Sequence, residues 1–525
     1  MIHPVDLKDE DIWAMFQASL NGDLDQVKAL VARRRELAVC EYNYTPPIHF
    51  AVREGHLEIV RFLLEQGADP TYRTYPFQES LVTMAQDRDR HEIAQLLLAI
   101  LARHFPVMEG VAGFLDAARR GDLARIRKEL ACDPTLARAS DDTGETALHA
   151  AAMGGHLPVM NALLDAGADP DAIRADGKRP IHFALDRRDR TALRAGVLAG
   201  TLLARGAAYN IYLAAVLGDM QYVAEALDGD SELANFEDSS HQRPISAAAR
   251  RNDQEMVELL LANGANPSLP EEGAPVGGAL WIAVYQKQPE MVKLLLEHGA
   301  DPNTAPESSG SAISHTRKDP ELRNLLLWYG AREETSDRKE LEDLISDNAL
   351  EEVEKMLQAR RELGLEPLAH WGEGILAGPA NNGRREMIEL LMRYGARVPN
   401  VSKWAPYYYF KHTEIAALLL ERGMNPNHRN WHHFTLLHHM AAEGEMEKAR
   451  LLLDHGADIN ALDEEYRSTP LGCAARRGQK EIVEFLLERG ADPNLAGAPW
   501  ATPLAWARKK GHSEIEAMLR QKGAQ

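Results

Sequence analysis

Three cysteines in 525 residues, Cys40, Cys132 and Cys473, are too few and too far apart for a disulfide framework or a thiolate zinc site. A reducing compartment is the expectation, and with it a cytoplasmic location. Nowhere do about eighteen apolar residues run together, so no membrane span is expected. The opening Met1-Ile2-His3-Pro4-Val5-Asp6-Leu7 has no basic stretch ahead of an apolar one, and no export signal is expected either. Basic residues are outnumbered 59 to 79, a net charge of -20 that disfavours nucleic acid and anionic membrane as partners. Also missing are a phosphate-binding glycine loop, a nucleophile elbow and a zinc-protease helix, since His91-Glu92-Ile93-Ala94-Gln95 lacks the second histidine. Neither a cofactor nor a metal is expected. Aromatics make up only 6% of the chain, yet 45% of residues are apolar and 26% charged, a balance that can bury a large core.

What the sequence has in abundance is a period. A leucine-rich segment followed by Gly-Ala-Asp-Pro stands at Leu63 to Pro70 and again at Leu163 to Pro170. Related endings place glycines at Gly206, Gly264, Gly299, Gly330, Gly395, Gly423, Gly456, Gly490 and Gly523, the last four 33, 34 and 33 residues apart. In the clearest unit Thr146-Ala147-Leu148-His149 opens a first helix, Gly154-Gly155-His156 ends it, and Leu157 to Leu164 forms a second. The threonine hydroxyl can cap free N–H groups, as can those ahead of Pro470 and Pro503, whose rings suit a first helical turn. Alanines such as Ala150 to Ala152 keep the first helix thin, while leucines of the second supply about 1.5–3 kcal/mol each when buried. One such unit cannot cover both of its faces, so units must stack.

This pattern resembles the ankyrin-repeat family from about residue 11 to 525, most specifically where Thr-Pro-Leu-His and Gly-His occur together. The resemblance implies an all-α solenoid of about sixteen helix-turn-helix units with short β-turn fingers. A longer period overlies it. Asn21-Gly22-Asp23, Arg120-Gly121-Asp122 and Leu217-Gly218-Asp219 recur three units apart, followed by Glu36-Leu37-Ala38, Thr135-Leu136-Ala137 and Glu232-Leu233-Ala234, and the pattern returns less clearly at Leu341 to Leu363. The charged stretch Glu333 to Lys339 is the candidate boundary between an N-terminal solenoid, residues 1–335, and a C-terminal one, 336–525, continuous with the first. Six extra residues before Gly206 predict a lengthened second helix or loop between Thr191 and Ala204.

The densest unusual region is Trp404 to His412 together with His428 to Phe434, His438 and His439. Counting back from Gly444 places Trp431, His432 and His433 on a projecting turn, with His433 where a glycine is usual and His438 where the opening motif has its structural histidine. These aromatics either form an exposed binding tip or repack an irregular junction. A metal shared by His428 and His432 has no cysteine to complete it. Glu373, Glu443 and Glu465 fall near recognition positions, as solvated carboxylates or as an acid–base pair. Finally, the two residues before each inner-helix end include twelve basic ones (Arg53, Arg88, Arg119, Arg120, Arg187, Arg250, Arg251, Arg317, Arg476, Arg477, Lys509 and Lys510) against five acidic ones, a row of +7 in a chain of -20. Either these cations complement helix dipoles or they line a groove for an acidic partner.

The expected function is a protein-binding scaffold that uses its concave face and projecting turns, its partner being one or more proteins with an acidic surface. The candidate partner-binding residues are Trp371, Tyr409, Phe410, Trp431, His432, Tyr466, Arg476 and Arg477. The alternative is an enzyme that has recruited the C-terminal groove for a polar small molecule or glycan, which a closed pocket containing buried carboxylates would favour.

Overall fold

In the computed structural model each repeat-ending glycine follows a second helix by two residues. Helices Leu57–Glu65, Leu157–Asp165, Gln254–Ala262 and Lys480–Glu488 stop ahead of Gly67, Gly167, Gly264 and Gly490, whose φ angles of 87 to 99° are open to glycine and costly for other residues. The structure describes all residues except 5, 75–76, 109, 187–191, 306–309, 333–335, 366–371, 400 and 403. Among the described residues there are sixteen helical pairs and no strands, an all-α ankyrin solenoid fold; in the tenth pair the 3-10 turn Ala312–Thr316 stands in for the first helix. The fingers appear as isolated bridges, Tyr42 with Thr45, Ser140 with Thr146, Glu271 with Ala274 and Arg429 with Thr435. No helix is long and apolar enough to cross a membrane among the described residues.

The three-unit period has a physical form. Asp23, Asp122 and Asp219 each cap a helix by accepting the N–H three residues on, and those helices run into the 3-10 turns Arg35–Ala38, Pro134–Ala137 and Ser231–Asn235. A fourth such turn, Arg361–Leu365, follows Leu350–Ala359. The extra residues before Gly206 lengthen the second helix, Ala192–Ala204, to 13 residues against 9 in Leu157–Asp165.

The repeats group with one break between residues 334 and 335, at the charged stretch, and a second between residues 97 and 98. One compact unit, unit 1, contains Met1–Leu97 together with Thr335–Gln525, and the other, unit 2, is Leu98–Glu334. Residues 333–335 at the start of the proposed boundary stretch lie outside the described residues. Within unit 1 the first 97 residues pack on the C-terminal repeats through two aromatic clusters, Phe16–Phe50–Trp431 and a second in which Phe77 joins Tyr466 and Trp506. A repeat period cannot encode that pairing, because the partners stand hundreds of residues apart.

Candidate functional site in unit 1

The turn from Arg429 to Thr435 is shaped by Asn430, whose side-chain oxygen accepts the N–H groups of His432 at 2.9 Å and Phe434 at 3.1 Å. His433 takes φ 60°, the left-handed conformation expected of the glycine position it fills. His438 is structural: its Nδ1 accepts the Thr435 N–H at 3.2 Å, and its Nε2 reaches the Ser468 carbonyl at 3.2 Å in the next repeat. His149 repeats the pattern with Thr146 and Lys178.

His49 occupies the same motif position, but its cap is Pro46, which has no N–H to give. Its Nδ1 is left without a hydrogen-bond partner, and its Nε2 turns instead to Glu465 Oε2 at 3.0 Å. Around that carboxylate gather Arg53, donating from Nη1 at 3.1 Å, and Arg88, donating to the Glu465 carbonyl at 2.6 Å with Oε1 at 3.5 Å. Arg53 also donates to His432 Nδ1 at 3.2 Å, and His432 stacks on Phe50 with centroids 5.7 Å apart. Burial would raise the Glu465 pKa, but His49 and Arg53 outweigh it and hold the carboxyl well below its usual range. Burial pushes His432 down to about 4, so its imidazole is neutral at pH 7.

His49 Nε2, His432 Nδ1 and Glu465 Oε2 lie within 4.8 Å of one another, a donor set that metals accept. The trio does not fit one. Arg53 Nη1 already donates to two of the three donor atoms, placing a guanidinium where the ion would sit.

An exposed aromatic tip is not what these residues form. Tyr409 and Phe410 are 0% exposed, Trp431 2%, Tyr466 3%, Arg476 5% and His432 7%. The junction is repacked, and the first 97 residues cover it: Trp431 packs against Phe16, Tyr42 and Phe50, while its carbonyl accepts the Ile2 N–H at 3.0 Å. Tyr409 donates its hydroxyl to the Glu373 carbonyl, and Ser402 and the Trp404 N–H engage the buried Glu373 carboxylate. Arg477 is exposed, 3.7 Å from Glu443 and over the Phe77 ring. Trp371 lies outside the described residues. Glu373 and Glu465, expected at a solvated surface or as an acid–base pair, are instead buried or nearly so and each bound by its own set of donors.

Much of the basic row in unit 1 holds carboxylates of the same chain. Arg476 grips Glu79 and, at 3.1 Å, Asp87 between the Tyr466 and Trp506 rings; Lys510 reaches Asp87 at 2.8 Å and Lys509 reaches Asp89 at 3.0 Å. The sequence row flagged these cations, but nothing in a period identified the acids that meet them.

Beside this network is a cavity of about 90 Å³, lined by Asn43, Tyr72, Phe77, Trp404, Tyr407, His428, Trp431, His439 and Tyr466 among others. Neither Tyr72 nor Phe77 was among the candidate binding residues.

The model for ankyrin repeats (3 copies) matches residues 3–74, 114–195, 211–305, 375–463 and 409–497. Among curated proteins, an L-asparaginase of Dirofilaria immitis is 31% identical over 172 residues, 32% of this chain and 28% of that protein. A probable E3 ubiquitin-protein ligase, XBOS33, of Oryza sativa subsp. japonica is 30% identical over 198 residues, 29% of this chain and 38% of that protein. The Ankyrin repeat and KH domain-containing protein mask-1 of Caenorhabditis elegans is 28% identical over 259 residues, 42% of this chain and 10% of that protein. The chain thus spans less than two fifths of the length of each of these relatives. With most of its length matched by the repeat model and sixteen helical pairs built on the repeat's caps and glycines, the chain belongs to the ankyrin-repeat family.

Proposed function

We propose that the chain is a protein-binding scaffold of a reducing, cytoplasmic setting, and that the inner-helix row of unit 2 takes an acidic segment of its partner. The observation that carries this reading is the use of the same row in unit 1, where Arg53, Arg88, Arg476 and Lys510 each hold a carboxylate. In unit 2 the corresponding Arg119, Arg120, Arg250 and Arg251 are exposed, Arg119 meeting Glu145, Arg120 meeting Asp116 and Arg251 standing 3.8 Å from Asp253, surface pairs weak enough for a partner's carboxylates to replace them. On the helix packed against the one that ends at Arg250, Tyr285, 61% exposed, stacks on Trp281 with centroids 4.9 Å apart, and His315 meets Trp281 edge-on at 5.5 Å. Tyrosine, tryptophan and arginine are the side chains that dominate binding hot spots. Three free cysteines agree with a reducing compartment.

The alternative of an enzyme in the C-terminal groove gains a cavity with a carboxylate in its wall. Neither Glu465 nor His432 serves it as a proton donor, since Glu465 is held ionised and His432 neutral.

The test is selection from a random peptide display library on the immobilised full chain. Acidic peptides should be enriched, and Arg250→Gln/Arg251→Gln and Tyr285→Ala variants should each bind them at least tenfold more weakly. The charge variant's defect should shrink at high salt. Selected peptides without an acidic bias, or binding that ignores both variants, would remove the proposal.

A further inference from the structure

The cavity in unit 1 is independent of the unit 2 surface and has its own chemistry. It is lined by rings, including Tyr72, Phe77, Trp404 and Trp431, by neutral polar groups such as Asn43 and Thr45, and by the Glu465 carboxylate. Burial pushes His428, His432 and His439 down to about 4, so three uncharged imidazoles face one small volume at pH 7. The charges nearest to them are already matched, Glu465 by Arg53 and Arg88; Arg429 stands exposed at the rim. Four wall residues carry buried polar atoms with no hydrogen-bond partner, Asn43 Oδ1, His49 Nδ1, Tyr72 Oη and His428 Nε2. Such an atom costs about 1–3 kcal/mol while unmatched, and a buried amide oxygen can be satisfied only by a donor.

Size narrows the occupant. A single water needs about 10–15 Å³ on the measure by which this cavity has about 90 Å³, so it has room for a small ring and not for a peptide. An adjoining open cleft, lined by Phe77, Pro406, Tyr407, His439 and Arg477 among others, shares the first four of these with the cavity and gives the ligand a way in. An ammonium would meet no unmatched carboxylate inside. A phosphate or carboxylate would meet neutral imidazoles and an amide carbonyl oxygen that repels it. A ring bearing several hydroxyls supplies donors to Asn43 and His428 and lays its C–H face on the aromatic wall. We propose that this cavity binds a neutral hydroxylated ring, either a free monosaccharide or cyclitol or the terminal unit of a glycan whose remainder lies in the cleft.

Two of the rings in the wall are tryptophans, so occupancy can be read by intrinsic fluorescence and confirmed by saturation-transfer NMR on the full chain. A panel of hexoses, pentoses and myo-inositol should contain at least one binder with millimolar or tighter affinity. A matching oligosaccharide that binds at least tenfold better than the free sugar identifies a glycan end, while equal affinity identifies the free ring. Asn43→Gly, which removes the amide while suiting the φ of 52° at that turn, and His428→Phe, which keeps shape and removes the ring nitrogens, should each weaken binding by tenfold or more, with helical content by circular dichroism unchanged. If either variant unfolds, Trp404→Phe serves as a milder change and should weaken binding at least threefold. Inorganic phosphate and choline should not compete. No binder in the panel up to 50 mM, binding of phosphate or choline in place of sugars, or sugar binding unaffected by the folded variants would each overturn the proposal.

Discussion

Glu465→Gln keeps the shape of the side chain and removes the charge that two buried guanidinium groups share. The consequences for the two arginines differ. Arg53 keeps a second carboxylate, Glu54 Oε1 at 2.9 Å from Nε, whereas Arg88, 2% exposed, has Glu465 as its described carboxylate partner and is otherwise covered by the Tyr466 and Trp500 rings. Breaking a buried pair by removing one partner costs about 3–5 kcal/mol, and because Arg53 retains Glu54 the lower end, about 3 kcal/mol, applies. The Arg88 contacts join residues 377 apart, so the loss falls on the attachment of the first 97 residues to the C-terminal repeats. Hydrogen exchange read by mass spectrometry reports it locally: amides of helices Pro47–Glu54 and Leu81–Asp87 should exchange on the order of a hundredfold faster, since about 1.4 kcal/mol corresponds to a factor of ten. Peptides from Leu98–Glu334 should be unaffected. Adding Arg88→Met, which removes the stranded charge, should recover at least tenfold of the protection. Acceleration below fivefold in the two helices, or equal acceleration in unit 2, would refute the assignment of Glu465 as the anchor.

Acidification should loosen unit 1 before unit 2. His428, His432, His438 and His439 fall to about 4 when folded against an ordinary 6.5, so below pH 6.5 the unfolded chain binds more protons and stability is lost as pH falls. At pH 5 each contributes a loss of about 2 kcal/mol. Asp463, raised by burial to about 7, acts in the opposite sense, its stabilisation being lost as pH rises from the usual carboxylate range through 7, but it is one group against four. Exchange at pH 5 and 7, corrected for intrinsic rates, should show the larger loss of protection in Thr335–Gln525; equal loss in Leu98–Glu334 would contradict this. In unit 2, Gly177→Ala should be far costlier than Gly264→Ala. Both glycines have positive φ, worth about 1–2 kcal/mol to any other residue, but a Cβ at 177 would lie 1.5 Å from the Ser239 carbonyl oxygen while one at 264 meets nothing within 4 Å. Thermal melts that place the two variants within a degree of each other would reject that packing.

The parts of the fold legible in the sequence are those set by neighbours in the chain. Thr146 and Thr435 announce helix starts, Gly22 and Gly121 announce helix ends, and the excess before Gly206 announces a longer helix, because caps and turns act over three or four residues. His433 could be placed at a left-handed position, and was found there. The site was not legible in the same way. Trp431 and His432 sit on a turn, where exposure is the ordinary outcome, and they are buried because Phe16, Phe50 and Arg53 from the start of the chain close over them. One local clue existed: proline at position 46 removes the donor that the motif histidine needs, so His49 had to find its partner elsewhere.

The splitting of unit 1 around Leu98–Glu334 bears on how the chain reaches its native state. Each repeat can form against its sequence neighbour as soon as both exist, with short loops and fast kinetics. The first 97 residues must wait for repeats made more than three hundred residues later, with Phe16, Phe50 and Phe77 uncovered meanwhile. Closing a flexible loop of 377 residues in place of one repeat of about 33 is a little over three doublings, roughly 2 kcal/mol of additional chain entropy. Folding should therefore show a slow final phase in which tryptophan fluorescence changes after helical content is complete. During that interval the early repeats are the segment most open to chaperones and to misassembly with a second copy of the chain.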